Sequence, residues 1–285
     1  MSASSVTIRT FTREDIPFGM ELKNLAGWNQ LPDDWERFVA WEPEGCFVAQ
    51  HEGTDAGTAI TINYDNRFGW VGMVLVHPDM RRKGIGTALL DACIDYLEGC
   101  GVDAVKLDAT PMGKQLYDTI GFKDEYLIER QQATAPDCRV PDCIAPLTEA
   151  HLDAVLAMDF RAFGADRGRV IRALLADPGA PAFVCLDGGE VAGYTLGRRG
   201  MHADSIGPWC ATGPDAALAL LQAALAARAG KPVFMDISLA NSHVLQMVSE
   251  FGFEKQRHLI RQFRGRNTSP GETGLVYAIA GPEIG

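Results

Sequence analysis

The chain has 285 residues, 47% hydrophobic and 22% charged, the balance of a soluble globular protein with room for two ordinary domains. Its net charge of −11 argues against nucleic acid as a partner and favours cationic ligands such as amines. No apolar run approaches the length that crosses a bilayer, and Met1 to Thr10 lacks the pattern of a secretory signal, so a cytoplasmic protein with no membrane partner is expected.

In chain order, VTIRTF reads as a strand, after which Thr12 and Asp15 have the spacing of a helix N-cap and its third helical position. A helical segment containing Trp28 and a second one around Trp35 to Phe38 follow. CFVAQHE and GTAITINYD form a hairpin around Gly53 to Gly57. WVGMVLV is an apolar strand, and TALLDACIDYLEGC is an amphipathic helix closed by Gly101. VDAVKLDA is a strand, MGKQLYDTI a short helix and GFKDEYLIERQ a last strand. Residues 131–143 are polar, carry two prolines and read as a connection.

The same order is then written a second time. Thr12 to Ile16 resembles Thr148 to Leu152, and Phe47-Val48 recurs as Phe183-Val184, both at an offset of 136. By Ala88-Leu89-Leu90 and Ala219-Leu220-Leu221 the offset is 131, and Gly121-Phe122 and Gly252-Phe253 keep it. About five residues are therefore missing from the second copy between the counterparts of Gly72 and Ala88. A first copy over 1–132, a connection over 133–143 and a second copy over 144–285 are expected. The seven cysteines are scattered; only Cys138 and Cys143 lie close, with no second Cys/His pair at matching spacing. Reduced thiols and no metal are expected.

Between WVGMVLV and its helix lies HPDMRRKGIG. Gly84 and Gly86 let the backbone bend and approach a ligand. The helix start after them directs free N–H groups and a positive dipole end at whatever the loop holds. With Arg81, Arg82 and Lys83 this makes an anion site suited to a pyrophosphate. It is not a P-loop, since the Gly-Lys-Ser/Thr ending is missing, and not a dinucleotide fingerprint, since the spacing of the three glycines is absent.

Arg81-x-x-Gly84-x-Gly86 after VLVHP resembles the acetyl-CoA signature of the GNAT acetyltransferase superfamily. LDATPMGKQLYDTIGF is similar to that family's second acyl-CoA element. The AGWNQLPDDW segment resembles a tandem subgroup with a divergent second copy. The resemblance implies an α/β (α+β) architecture of two tandem acyl-CoA N-acyltransferase folds. Each would have a mixed, mostly antiparallel twisted sheet flanked by helices.

It also implies an enzyme that moves an acetyl group directly from acetyl-CoA, the co-substrate, to an amine. Main-chain groups of Met73, Val74 and Val76 would meet the pantetheine arm. Arg81, Arg82, Lys83, Gly84, Ile85, Gly86 and Thr87 would hold the pyrophosphate. Thr110, in place of the relatives' Asn, and Gly113 would complete the cofactor site. Tyr117 stands where the family places its general acid, since a phenol is protonated at neutral pH and can donate to the leaving thiolate.

The base is open. The strand before the loop lacks the relatives' Glu, leaving Asp108, His77 or water, and Asp108 can equally cap the turn at Thr110-Pro111. Trp28, Asn29 and Trp35, with Asp33 and Asp34, lie where the family shapes its acceptor pocket. Tryptophans there can box an amine or pack in the core.

The second copy reads GPWCATGPDAALALL at the loop, without the motif and without a basic residue. Val248 replaces Tyr117, while Asn241 stands at the place of Thr110. The second copy is expected to be non-catalytic and to wall the acceptor pocket, with His202, His243 and Trp209 as candidate contacts. Three functions stay open: acetylation of a small primary amine, acetylation of protein lysine, and acyl-CoA sensing without catalysis. An intact Tyr117 favours catalysis, and two copies around one site favour a small acceptor. A monomer or homodimer is expected.

Overall fold

The computed structural model describes residues 6–285. Its first elements are β1 (Val6–Thr10), α1 (Ile16–Leu25), α2 (Pro32–Trp41), β2 (Cys46–His51), β3 (Thr54–Tyr64) and β4 (Phe68–Val76). Then come α3 (Ile85–Gly99), β5 (Ala104–Ala109), α4 (Pro111–Thr119) and β6 (Lys123–Thr134). The order repeats with β7 (Ile144–Pro146), α5 (Leu152–Phe163), α6 (Gly168–Leu175), β8 (Ala182–Asp187), β9 (Glu190–Arg198) and β10 (Asp204–Ala211). It continues with α7 (Pro214–Ala226), β11 (Pro232–Ser238), α8 (Val244–Ser249) and β12 (Glu254–Gly265), and adds β13 (Val276–Ala278). The duplication is present element for element: β3 and β9 start 136 positions apart, and β6 and β12 lie 131 apart at both ends.

Two compact units interleave along the chain. One holds the residues up to Leu107, Leu116–Phe122 and Phe263–Thr268; the other holds Asp108–Gln115, Lys123–Gln262 and Ser269–Gly285. Strand β6, the last of the first copy, thus belongs to the second unit.

In the first unit the spatial order is β1-β2-β3-β4-β5, antiparallel up to β4 and parallel between β4 and β5. Helix α3 buries Ile85, Leu89, Leu90, Cys93, Ile94 and Leu97, the recurrence of a helix with one apolar face. Trp70, Phe68 and Ile60 on the strands are fully or almost fully buried with them. Thr12 and Asp15 form the capping box that the sequence indicates, on the single 3-10 turn Arg13–Asp15 that leads into α1, with the Thr12 N–H donating to Asp15 Oδ2 at 2.8 Å. Pro32 opens α2, and the Leu31 N–H donates to Asp34 Oδ2 at 2.8 Å.

Three details depart from the sequence reading. Trp28 lies outside a helix, because α1 ends at Leu25 and Gly27 turns the chain at φ +67°. Helix α3 begins at Ile85, two residues before Thr87. The polar Gln131 to Thr134 continue β6, whose partner β11 supplies a full antiparallel ladder from Ser238↔Ile128 to Pro232↔Thr134. Polar side chains do not prevent a strand when a neighbour takes its backbone groups.

The second unit has the spatial order β12-β6-β11-β13-β10-β9-β8-β7. Its core gathers Trp209, Leu220, Leu221, Met235, Val248 and Tyr277 under α7 and α8. Strands β10 and β11 pair in parallel at Asp204↔Val233 and Ser205↔Phe234. Beyond that β13 lies between them, with Trp209↔Ala278 on one side and Ile237↔Ala278 on the other.

Candidate active site

The loop from His77 to Gly84 carries the chain from β4 into α3. Gly84 takes the left-handed conformation, φ +80°, immediately before the helix, and no side chain caps it. The first intrahelical bond runs from Ala88 N–H to Gly84 O at 3.0 Å, so the N–H groups of Ile85, Gly86 and Thr87 open outward. Arg81, Arg82 and Lys83 are exposed and form no ion pair among the described residues. A fifteen-residue helix with an uncapped start and three cations beside it attracts an anion.

Whether this place fits acyl-CoA can be tested on its two glycines. A Cβ at Gly84 would meet no protein atom within 4 Å, and one at Gly86 would only touch Leu116 at 3.6 Å and Val76 at 3.8 Å. The fold's own packing therefore does not demand a glycine at 86. The room it leaves is room for a ligand, and the donors around it suit a pyrophosphate.

The neighbouring strands fit the rest of that ligand. β4 and β5 pair only at Gly69↔Val105 and Trp70↔Lys106. Past these positions β4 bulges: Ile60 faces Gly72 while Thr58 faces Leu75. Met73 sits at the bulge with φ +50°, and its carbonyl accepts from the buried Thr58 hydroxyl at 3.1 Å. A bulge next to a parting pair of strands frees main-chain groups at Met73 to Val76 for an outside partner. Thr58, which holds the bulge, has no mark in the sequence beyond being a hydroxyl in an apolar strand.

Helix α4 is capped by Thr110, whose Oγ1 accepts from the Gly113 N–H at 3.1 Å. Asp108 does not serve that turn. Its carboxylate is fully buried and held by Arg261, Nε to Oδ1 at 2.9 Å and Nη2 to Oδ2 at 2.9 Å. Arg261 Nη1 donates further to the Tyr126 hydroxyl at 2.7 Å. Burial pushes the Asp108 carboxyl upward while Arg261 pulls it the other way. Neither Arg261 nor Tyr126 stands out in the sequence reading, although Arg130-Gln131 and Arg261-Gln262 keep the repeat offset of 131.

Tyr117 lies on α4 with its ring 6.0 Å from that of Phe122. Its hydroxyl forms no hydrogen bond among the described residues. Burial, with the Cys93 thiol adding to it, pushes the phenol up to about 12. It therefore holds its proton throughout the neutral range.

The residues named for the acceptor separate. Trp35 is fully buried, stacked on Phe11 at 5.2 Å, and belongs to the core. Asn29 is buried and Trp28 half-buried. The Trp28 carbonyl accepts from the buried Lys23 ammonium at 3.3 Å, and burial lowers the pKa of Lys23.

In the second unit Trp209 is core too, its Nε1–H donating to Ala217 O at 3.2 Å. His243 is exposed, and His202 lines a cavity of about 460 Å³ with Gln132, Phe234 and Glu254. Only two residues separate β10 from α7, where eight separate β4 from α3, so the anion loop is missing from the second copy. Val248 is buried at the place of Tyr117.

Among the described residues no group of three or more His, Cys, Asp or Glu could hold a metal ion. No helix among them is long and apolar enough to cross a membrane.

Comparison with known proteins gives the family. Residues 16–122 match the acetyltransferase (GNAT) family and residues 155–278 an acetyltransferase (GNAT) domain. The holothin acyltransferase of a Pseudoalteromonas species is 27% identical over 265 residues, covering 90% of this chain and 87% of that protein. The uncharacterized N-acetyltransferase YitH of Bacillus subtilis is 24% identical over 269 residues, covering 93% and 94%.

Among solved structures, a putative acetyltransferase from Pyrococcus horikoshii has the same fold, with TM-score 0.86, 23% identity and coverage of 100% of this chain and 98% of that one. A tandem GNAT protein from the clavulanic acid biosynthesis pathway superposes with TM-score 0.66 at 14% identity, covering 91% and 98%. Two matched domains and relatives of the same family over most of the chain lead to one assignment: the chain belongs to the GNAT acetyltransferases as a tandem member, and it is an N-acetyltransferase that takes its acetyl group from an acyl-CoA.

Proposed function

We propose that the enzyme acetylates a primary amine of a small molecule, and that the first copy, residues 1–132, carries the chemistry. The observation behind the catalytic half of this reading is Tyr117, a protonated phenol without a hydrogen-bond partner on the helix that follows the acyl-CoA strands. A sensor that only binds has no use for such a group. Acetyl-CoA, when bound, supplies the activated acyl group.

The chain's own residues do the rest. The uncapped turn at Gly84 to Thr87, with Arg81, Arg82 and Lys83, holds the pyrophosphate. The bulge at Met73 to Val76 orients the pantetheine arm through main-chain bonds; Thr110 and Gly113 are the further cofactor contacts that the resemblance implies. Tyr117 gives its proton to the departing sulfur. Asp108, with both oxygens taken by Arg261, positions the end of β5 and takes no proton, so a water molecule removes the one the amine loses. Trp28 and Asn29 shape the acceptor side.

The preference for a small acceptor draws on the similarity to the holothin acyltransferase, a relative named for holothin and not for a protein, and aligned over most of both chains. The second copy, 144–285, joined through 133–143, would be non-catalytic.

The test is thiol release from acetyl-CoA across a panel of small amines and a lysine peptide, for the wild type, Tyr117→Phe and Gly84→Asp/Gly86→Asp. Turnover with a small amine, lost in both variants, is the expected result. Turnover with the peptide alone would move the acceptor to protein. Tight binding without turnover on any acceptor would favour the sensor.

A further inference from the structure

The sheets of the two copies open in the same place, and only one opening is filled by the chain itself. In the first unit β4 and β5 part after Gly69↔Val105 and Trp70↔Lys106, and they remain direct neighbours, with no strand between them. In the second unit β10 and β11 part after Asp204↔Val233 and Ser205↔Phe234. There β13 enters, pairing Trp209↔Ala278 and Cys210↔Val276 with β10 and Ile237↔Ala278 with β11.

Main-chain N–H and C=O groups that face such an opening need partners. An extended chain carrying amides supplies them, as any strand does when it adds to a free sheet edge. The pantetheine arm of an acyl-CoA is such a chain, and so is a peptide. The first copy leaves its groups to the former and the second copy meets them with the latter.

The inserted segment is firmly held. Val276, Tyr277, Ala278, Ile279, Ala280 and Ile284 are all buried. Tyr277 packs on Trp209 with ring centroids 4.8 Å apart, and the Ile279 N–H donates to Asp236 O at 3.0 Å. Glu283 is paired with Arg198, and Arg167 Nη1 donates to Gly285 O at 2.5 Å.

We propose that residues 276–285 are a built-in occupant of the second copy's acyl-CoA slot, so that each chain takes one acyl-CoA, at β4 and β5, and none at β10 and β11. The proposal rests on the reading of the first copy given above. It adds to the missing anion loop a second, independent obstacle: the loop removes the charge that would hold a pyrophosphate, and β13 removes the space for the arm.

The experiment combines calorimetric titration of the full chain with acetyl-CoA and hydrogen exchange at the amides of 277–280, with and without the ligand. One acetyl-CoA per chain is expected, with binding lost in Gly84→Asp/Gly86→Asp. The tail amides should fall in the slowest-exchanging class and stay there when the ligand is added. Two acetyl-CoA per chain would overturn the proposal. So would acetyl-CoA that speeds tail exchange in the Gly84/Gly86 variant, because the ligand would then be displacing the strand. No binding to the wild type, with tail exchange slow and unchanged, would sink the first-copy reading and uphold the occupied slot.

Discussion

Arg261 grips Asp108 through two parallel hydrogen bonds, and Arg130 grips Asp236 in the same way, at 2.9 and 2.6 Å. The two arginines stand 131 positions apart, the offset of the repeat, on β12 and β6. Each aspartate lies near the C-terminal end of a parallel strand, Asp108 in β5 and Asp236 in β11. Both pairs are buried. Each pair therefore joins the two copies: Asp108 and Arg130 come from the first, Arg261 and Asp236 from the second.

A buried pair broken on one side leaves an uncompensated charge, at a cost of about 3–5 kcal/mol. Arg261→Ala is expected to lower stability by that order in chemical denaturation. Arg261→Met combined with Asp108→Asn should recover most of the loss, because neither charge is then left alone. The same series probes the role of Asp108. If Asp108→Asn abolished turnover while the denaturation midpoint and acetyl-CoA affinity held, Asp108 would be the base after all.

Tyr117→Phe removes one hydroxyl and no carbon from the helix. General acid catalysis contributes about 10²–10⁴ in rate, and a fall in kcat toward the lower end of that range is expected. Acetyl-CoA affinity should stay within about a factor of three, since the ring and its contact with Phe122 remain. Steady-state kinetics alongside calorimetry separate the two.

The pH profile follows from the same residue. A phenol with its pKa near 12 is still almost wholly protonated two units below that value, so it stays an acid across the accessible range. The rate at subsaturating amine should rise with pH as the acceptor is deprotonated, and it should not fall again below about pH 10. A descending limb centred near pH 8 would mean that some other group donates the proton.

Gly57 links packing to cofactor binding. A Cβ there would stand 2.6 Å from Leu75 O, 3.0 Å from Leu89 Cδ1 and 3.2 Å from Ile85 Cγ2. The backbone oxygen of β4 cannot yield, so Gly57→Ala must part β3 from β4 at Leu75 and press on the Ile85 and Leu89 side chains, disturbing the first turn of α3. Overpacking of this kind costs about 1–3 kcal/mol. A lower Tm together with weaker acetyl-CoA binding is expected; a lower Tm with unchanged affinity would show that the turn recovers its place.

Much of this was legible in the chain. The loop at Arg81 to Gly86 and the phenol at Tyr117 announce themselves because their spacing is set by local geometry, one turn and one helix. The capping box of Thr12 and Asp15 ahead of α1 and the repeat offsets are of the same local kind. Arg130 and Arg261 were harder to read, since charged residues alternating with apolar ones on a strand suggest a solvent-facing side. Only their partners, 106 and 153 positions away, make that side a buried one. Strand β13 is three residues long, too short for any period to show, and its place follows from an opening between two strands far from it in sequence. Trp28 reads as helical until Gly27 is seen to turn the chain at φ +67°.

The division of β6 and β12 between the units has a consequence for how such a protein can be inherited. Residues 123–134 close the sheet of the second unit, and Phe263–Thr268 return to the first. A polypeptide cut in the connection at 133–143 would carry β6 away from β11 and leave seven ladder positions of β11 bare. A bare inner strand is a template for association with any passing chain, most readily another copy of the severed strand. Gene fission here would release two sticky halves and no independent enzyme. A second copy without the counterpart of the Arg81 to Gly86 loop can therefore still be under selection, because its partner depends on it to cover an open strand edge.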